Sequence, residues 1–158
     1  MKVSFSDEAL KEFNDILTRY PTKRAALLPT LHLLQREFGW ISREGMEYVG
    51  ELLELPFSEV YDTASFYTMF KLKPMGKYHL QVCHTLSCAL RGAGEICDHI
   101  REKLHIDNGE VTEDGKYSFV KVECLGSCGT APVVQINDDY YEGLTVEQFD
   151  EVLEKLEK

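Results

Sequence analysis

The hydrophobic positions of this chain change period once, near its middle. Over residues 1–73 apolar side chains recur every three to four positions, the spacing of one face of a helix. Ser6 can cap a first helix whose opening turn holds Asp7 and Glu8; its stripe is Leu10, Phe13, Ile16 and Leu17, and Pro21 closes it. A second run, from about Arg24 to Phe38, aligns Leu27, Leu28, Leu31, Leu34 and Phe38, with Gly39 placed as its C-terminal cap. Pro29 inside that run predicts a kink or two short helices. Ser42 predicts the start of a third helix, with Ile41 as its staple and Met46, Val49, Leu52 and Leu53 inward; Pro56 stops it. Ser58 is expected to cap a fourth, with Val60, Tyr61, Ala64, Phe66, Tyr67 and Phe70 as its apolar content. The expectation is a small helical bundle, a packing or docking module; a separate binding site on His32 and Tyr48 is the alternative.

KLKPMGK (Lys71 to Lys77) breaks the helical pattern with Pro and Gly, and residues 74–77 read as a linker. From residue 78 to 158 the pattern differs. YHLQVC (Tyr78 to Cys83) alternates as a strand does. Ala89 to Leu104 is expected to be helical, with Ile96, Ile100 and Leu104 aligned. YSFVKVE (Tyr117 to Glu123) and PVVQI (Pro132 to Ile136) predict two more strands. Asn137 to Asp139 makes a turn into a fourth at Tyr140–Tyr141, and Thr145 caps a terminal helix. The long helical link between the first two strands favours a parallel crossover, and the short turn requires an antiparallel pair. The fold class is therefore α+β: an N-terminal helical bundle (1–73), then an α/β domain (78–158) with a mixed four-stranded sheet. That strand order resembles the thioredoxin-like fold with its cysteines relocated.

Charge narrows the function classes. Of 158 residues, 27 are acidic and 17 basic, giving a net charge of −10. Such a surface repels phosphate backbones and anionic lipid, which argues against nucleic-acid partners and membrane adsorption. No apolar stretch approaches the ~18 residues of a membrane span. MKVSFSDEALKEF lacks the apolar core of a secretory signal and the Arg-rich character of a transit peptide. Five cysteines are an odd number for a disulfide framework, so the expected setting is cytoplasmic, with thiols reduced or metal-bound.

Four of those cysteines fall into two tight pairs. Cys83 and Cys88 lie in VCHTLSC; Cys124 and Cys128 lie in ECLGSC. Both pairs fall at predicted strand ends, Cys88 being expected to start the helix that follows the first strand. If the two strands are neighbours, the pairs meet. Three chemistries compete. A [2Fe–2S] cluster takes two thiolates per iron and wants backbone N–H donors near its sulfurs; Gly126 and Gly129 would let the loop curl to supply them, and the helix after Cys88 would aim its positive end there. Structural zinc uses pairs with similar gaps. Disulfide exchange is poorly served, since a thioredoxin-like site shows C-x-x-C. His84 could stand in as a ligand but faces away from its neighbour, and mid-helix Cys97 reads as a small buried side chain. No phosphate loop or Rossmann glycine pattern occurs, so the chain shows no nicotinamide or flavin site of its own.

VCHTLSC followed by RGAGE, then VECLGSCGTAPVVQIN, resembles the family of small [2Fe–2S] subunits of bacterial NADH-quinone oxidoreductase, respiratory complex I. ALLPTLHLLQREFGWIS and DTASFYTMFKLKPMGKYHLQVC look like that family's helical domain and linker. Related subunits occur in NAD-linked hydrogenases and formate dehydrogenases. The resemblance implies a thioredoxin-like ferredoxin domain in which Cys83, Cys88, Cys124 and Cys128 bind one [2Fe–2S] cluster. It implies an oxidoreductase subunit without an NADH site, tightly paired with a flavoprotein subunit that carries FMN and the NADH site. It also places the chain with other peripheral-arm subunits on the cytoplasmic side of the inner membrane. The expected role is one-electron exchange with the flavin, at a low potential favoured by the acidic chain; a zinc-stabilised interaction module is the alternative class.

Overall fold

Local signals in the first seventy residues set the helix ends. In the computed structural model, which describes residues 3–156, α1 spans Asp7–Arg19, and Ser6 accepts a hydrogen bond from the Ala9 N–H at its start. α2 spans Leu27–Phe38, entered through a 3-10 turn at Arg24–Ala26. Pro29 neither kinks it nor divides it. The helix begins so late that Pro29 falls in its first turn, where backbone N–H groups have no intrahelical acceptor to lose. Gly39 closes α2 at φ 79°, as a C-terminal glycine should.

α3 spans Arg43–Leu53, capped by the Ser42 hydroxyl on the Gly45 N–H, with Ile41 and Met46 buried in the same cluster. α4 spans Phe57–Phe66 and departs from expectation at both ends. Pro56, not Ser58, occupies the cap position, because its extended backbone already turns the chain into the helix. The helix stops before Tyr67. Phe70 is buried beyond it, and Phe66 points to solvent at 77% exposure. The exposed His32 ring lies 5.0 Å from that of Phe70, tilted by 55°, and the Tyr48 hydroxyl accepts from the Phe5 N–H. Both therefore serve the packing of the bundle.

The chain divides into two units, residues 1–74 and 75–158. Each has its own hydrophobic cluster: one built on Phe13, Leu31, Leu34, Val49 and Val60, the other on Leu80, Ile96, Ile100, Phe119 and Phe149.

In the second unit β1 is Tyr78–Cys83, β2 Tyr117–Val122, β3 Val133–Ile136 and β4 Asp139–Glu142. The sheet order is β2-β1-β3-β4, parallel between β1 and β2 and antiparallel elsewhere, which is the mixed four-stranded sheet that the pattern predicts. The single helix expected over Ala89–Leu104 is two: α5 (Leu86–Leu90) and α6 (Ala93–Leu104). Gly92, at φ 98°, separates them by turning the chain through a conformation that side-chain-bearing residues avoid. Ile96 and Ile100 of α6 are buried in the core of this unit. α7 (Val146–Leu156) begins with a reciprocal cap: Thr145 Oγ1 accepts from the Gln148 N–H, and Gln148 Oε1 accepts from the Thr145 N–H. Among the described residues no helix is long and apolar enough to cross a membrane.

Candidate metal centre

Strand register brings the two cysteine pairs together. β1 and β2 run parallel with Cys83 opposite Val122, so both strands finish at one end of the sheet. Cys83 closes β1, and Cys124 leaves just past the end of β2. β3 runs back against β1 with Val134 opposite Val82, so the loop from Glu123 to Pro132 stays at that same end. Cys88 arrives on α5. It lies inside this short helix rather than before the long one, so the helix expected to aim its positive end from behind Cys88 is instead α6, set off by Gly92.

The sulfurs form two contacting pairs. Cys124 Sγ lies 3.7 Å from Cys128 Sγ, and Cys83 and Cys88 are near enough to shift each other's thiols in opposite directions. Cys128 is close enough to both Cys83 and Cys88 for their charges to repel. Polar hydrogens surround them. The Gly126 N–H donates to Cys124 Sγ at 3.3 Å, and Gly126 reaches that position at φ 82°. The backbones of Thr85 and Leu125 favour the thiolate of Cys83, and that of Val133 the thiolate of Cys88. The Thr85 hydroxyl lies 3.2 Å from Cys83, and the Ser87 hydroxyl donates to Cys128. Gly129, the other glycine expected to curl the loop, needs no left-handed backbone and sits in the 3-10 turn Cys128–Thr130.

The electrostatics are those of thiols crowded for a cation. Burial works to raise Cys83, but the Thr85 hydroxyl and the N–H groups of Thr85 and Leu125 outweigh it and pull this thiol down. Burial and the neighbouring Cys83 push Cys88 up against the help of Val133. Cys128 is pushed up by its hydrogen bond to Cys124 and by that neighbour's charge. Four thiolates so placed repel one another unless positive charge sits among them, and a metal centre supplies it. The N–H groups already aimed at sulfur are what an anionic, thiolate-bound cluster requires. Among the described residues no group of three or more His, Cys, Asp or Glu side chains is close enough to hold a metal ion, so the four thiols share one end of the sheet without closing on a single point. A donor set divided two and two suits a pair of irons better than one zinc.

Exposure divides the quartet the same way. Cys83 and Cys88 are each 1% exposed, whereas Cys124 and Cys128 meet solvent. The remaining candidates fall outside. His84 is half-exposed, with Nε2 3.5 Å from Glu123, and its N–H bonds the Val122 carbonyl. Cys97 is buried in α6; burial raises its thiol, and the charges it feels are Lys121, Arg101 and Asp98, not the other cysteines. No two of the five cysteines form a disulfide. Sequence reasoning anticipated the Gly126 N–H on sulfur but missed Thr85, Ser87 and the backbones of Leu125 and Val133. It also missed Glu142 of β4, whose Oε1 accepts from the Ser127 and Thr130 hydroxyls on either side of Cys128. Only the β3–β4 register puts Glu142 there, and no local pattern announces it.

A mixed sheet with helical connections and thiols at the end where β1 and β2 finish is a thioredoxin-like layer without the C-x-x-C of disulfide exchange. The family model for thioredoxin-like [2Fe–2S] ferredoxins matches residues 13–157, and the chain belongs to that family. Among its relatives is the E subunit of NADH-quinone oxidoreductase from Rickettsia bellii, 50% identical over 97% of this chain and 93% of the relative. NADH-quinone oxidoreductase subunit 2 of Thermus thermophilus is 48% identical over 88% of this chain and 78% of its own length. Among solved structures, an air-oxidised NAD+-reducing [NiFe]-hydrogenase superposes with a TM-score of 0.72 at 26% identity over 83% of this chain. The matched region is 22% of that hydrogenase chain.

Proposed function

We propose that Cys83, Cys88, Cys124 and Cys128 hold one [2Fe–2S] cluster, two thiolates to each iron. On this reading the chain is the electron-transfer subunit of an NADH-quinone oxidoreductase. The reading is supported above all by one observation: two thiol pairs, with 35 residues between Cys88 and Cys124, lie at the same end of the sheet, with an N–H donor on Cys124. The relatives named as oxidoreductase subunits match over nearly their whole length, while the hydrogenase is matched over about a fifth of its chain, which favours the quinone-linked complex as host.

The cluster would supply a one-electron reservoir. The chain's own residues do the rest. Cys83 and Cys88 anchor the site in the core, and the Thr85, Leu125, Gly126 and Val133 N–H groups stabilise negative charge on sulfur. Cys124 and Cys128 bring the site to the surface, where an electron can pass to a partner. That partner is a flavoprotein subunit holding FMN and the NADH site, paired with this chain in the peripheral arm on the cytoplasmic side of the membrane. A net charge of −10 disfavours adding an electron and sets the potential low in the range open to such clusters.

The test is purification of the chain with and without the flavoprotein subunit. Iron and acid-labile sulfide should be present in equal amounts, without zinc. The protein should be red-brown and become paramagnetic on reduction, and NADH should reduce it only when the flavoprotein is present. A colourless protein holding zinc would overturn the assignment.

A further inference from the structure

The outer half of the thiol site lacks the anchor that the inner half has. Cys124 and Cys128 are exposed, and the 3-10 turn Cys128–Thr130 buries no side chain. Edge strand β4 restrains this loop instead. Tyr140 and Glu142 are two positions apart and so project to the same face of the strand. Tyr140 Oη donates to the Leu125 carbonyl at 3.1 Å. Glu142 Oε1 accepts from Thr130 Oγ1 at 2.7 Å and from the Ser127 hydroxyl. The Gly143 N–H, next along, donates to the Thr130 and Pro132 carbonyls at 2.8 and 2.9 Å.

The Tyr140 contact leads directly to sulfur. The Leu125 carbonyl and the Gly126 N–H belong to one planar peptide unit, and that N–H donates to Cys124 Sγ. A hydroxyl at one end of the unit and a sulfur at the other therefore fix its orientation together, and each bond polarises the next. Glu142 acts differently. It holds the hydroxyls on either side of Cys128 and places a carboxylate beside the loop.

We propose that Tyr140 and Glu142 are positioning residues for the cysteine loop, strapping residues 125–130 to β4 and tuning the site in opposite directions. Tyr140 keeps an N–H aimed at Cys124, which stabilises added negative charge. Glu142 contributes negative charge, which opposes it. The tuning rests on the [2Fe–2S] reading above; the strap does not.

The experiment uses the full chain loaded with its cluster, as wild type, Tyr140→Phe, Thr130→Val and Glu142→Gln. Amide hydrogen exchange over residues 125–130 reads the strap, and a redox titration followed by electron paramagnetic resonance reads the tuning. Exchange should quicken at least about tenfold in that segment in Tyr140→Phe and in Thr130→Val, with the rest of the sheet unchanged; Glu142→Gln keeps an amide oxygen that accepts from the same hydroxyls and so reads the charge alone. The potential should fall in Tyr140→Phe and rise in Glu142→Gln, each by no more than about tenfold in the reduction equilibrium, or 59 mV for one electron. Unchanged exchange in Tyr140→Phe and Thr130→Val, or potentials of Tyr140→Phe and Glu142→Gln that move together or not at all, would overturn the proposal. Thr130→Val removes the Glu142 bond from the loop side without touching the carboxylate. A wild-type protein holding zinc would end the cluster reading and the tuning with it; loop exchange in the zinc protein would then decide the strap.

Discussion

Five cysteines occupy three kinds of surroundings, and each sets a different chemistry. Cys83 and Cys88 are enclosed, Cys124 and Cys128 open, and Cys97 simply packed. The two-pair spacing makes the first four legible in the sequence, because thiolates so close serve one centre wherever the backbone turns. Helical periodicity makes Cys97 legible, since it faces the same core as Ile96 and Ile100. Cys97→Ala should therefore retain all of the iron and the same electron paramagnetic resonance signal. It should cost about 1 kcal/mol of stability for the small cavity left, read by urea unfolding. A loss of iron in that variant would place a fifth thiol at the site. Thr85, Ser87 and Glu142 are not legible, because a hydroxyl or carboxylate joins a site through three-dimensional neighbours rather than through spacing.

At the scale of elements, periodicity identifies what forms and punctuation misjudges where it begins. Pro29 reads as a breaker only if its run starts at Arg24; a 3-10 turn takes up that stretch, and the proline becomes an ordinary first-turn residue. Ser58 resembles a cap, but Pro56 has already set the chain's direction. The division of α5 from α6 at Gly92 is hidden because the apolar residues on either side keep helical spacing across the break.

The contact between α6 and α7 carries a pH dependence. Asp150 of α7 accepts from His99 Nε2 and Lys103 Nζ of α6, each at 2.7 Å. Burial would raise its carboxyl, but those two partners more than offset this and hold it below the ordinary carboxylate range. With its folded value depressed, the unfolded chain binds the extra proton as acid is added. The stability from this cluster is complete above about pH 4 and is lost as pH falls through the depressed value. Asp150→Asn should lower stability by about 1 kcal/mol at neutral pH and leave it unchanged well below pH 4. Urea unfolding of the cluster-free protein across that range measures it, and a constant difference at every pH would contradict the ion-pair account.

For the whole molecule, the change of period near residue 74 coincides with the division into two hydrophobic clusters, none of whose residues cross it. Every thiol and every donor described at the metal site lies beyond that point. Residues 75–158 produced alone are therefore expected to fold and to take up the cluster with the spectrum of the full chain. Failure to load iron, with the sheet intact by circular dichroism, would show that the helical unit takes part in building the site. The sequence discloses this division because core-forming residues switch spacing there. It does not disclose the loop's restraint by β4, which depends on a hairpin register set by long-range pairing.

The unequal enclosure of the four thiols has a consequence for how the cofactor is gained and lost. On the proposed assignment, with Cys83 and Cys88 sealed in the core, iron would enter and leave on the side where Cys124 and Cys128 meet water. A scaffold delivering a preformed cluster, a chelator stripping it and an oxidant corroding it would share one doorway. Whatever docks over that doorway in an assembled complex also guards the cofactor.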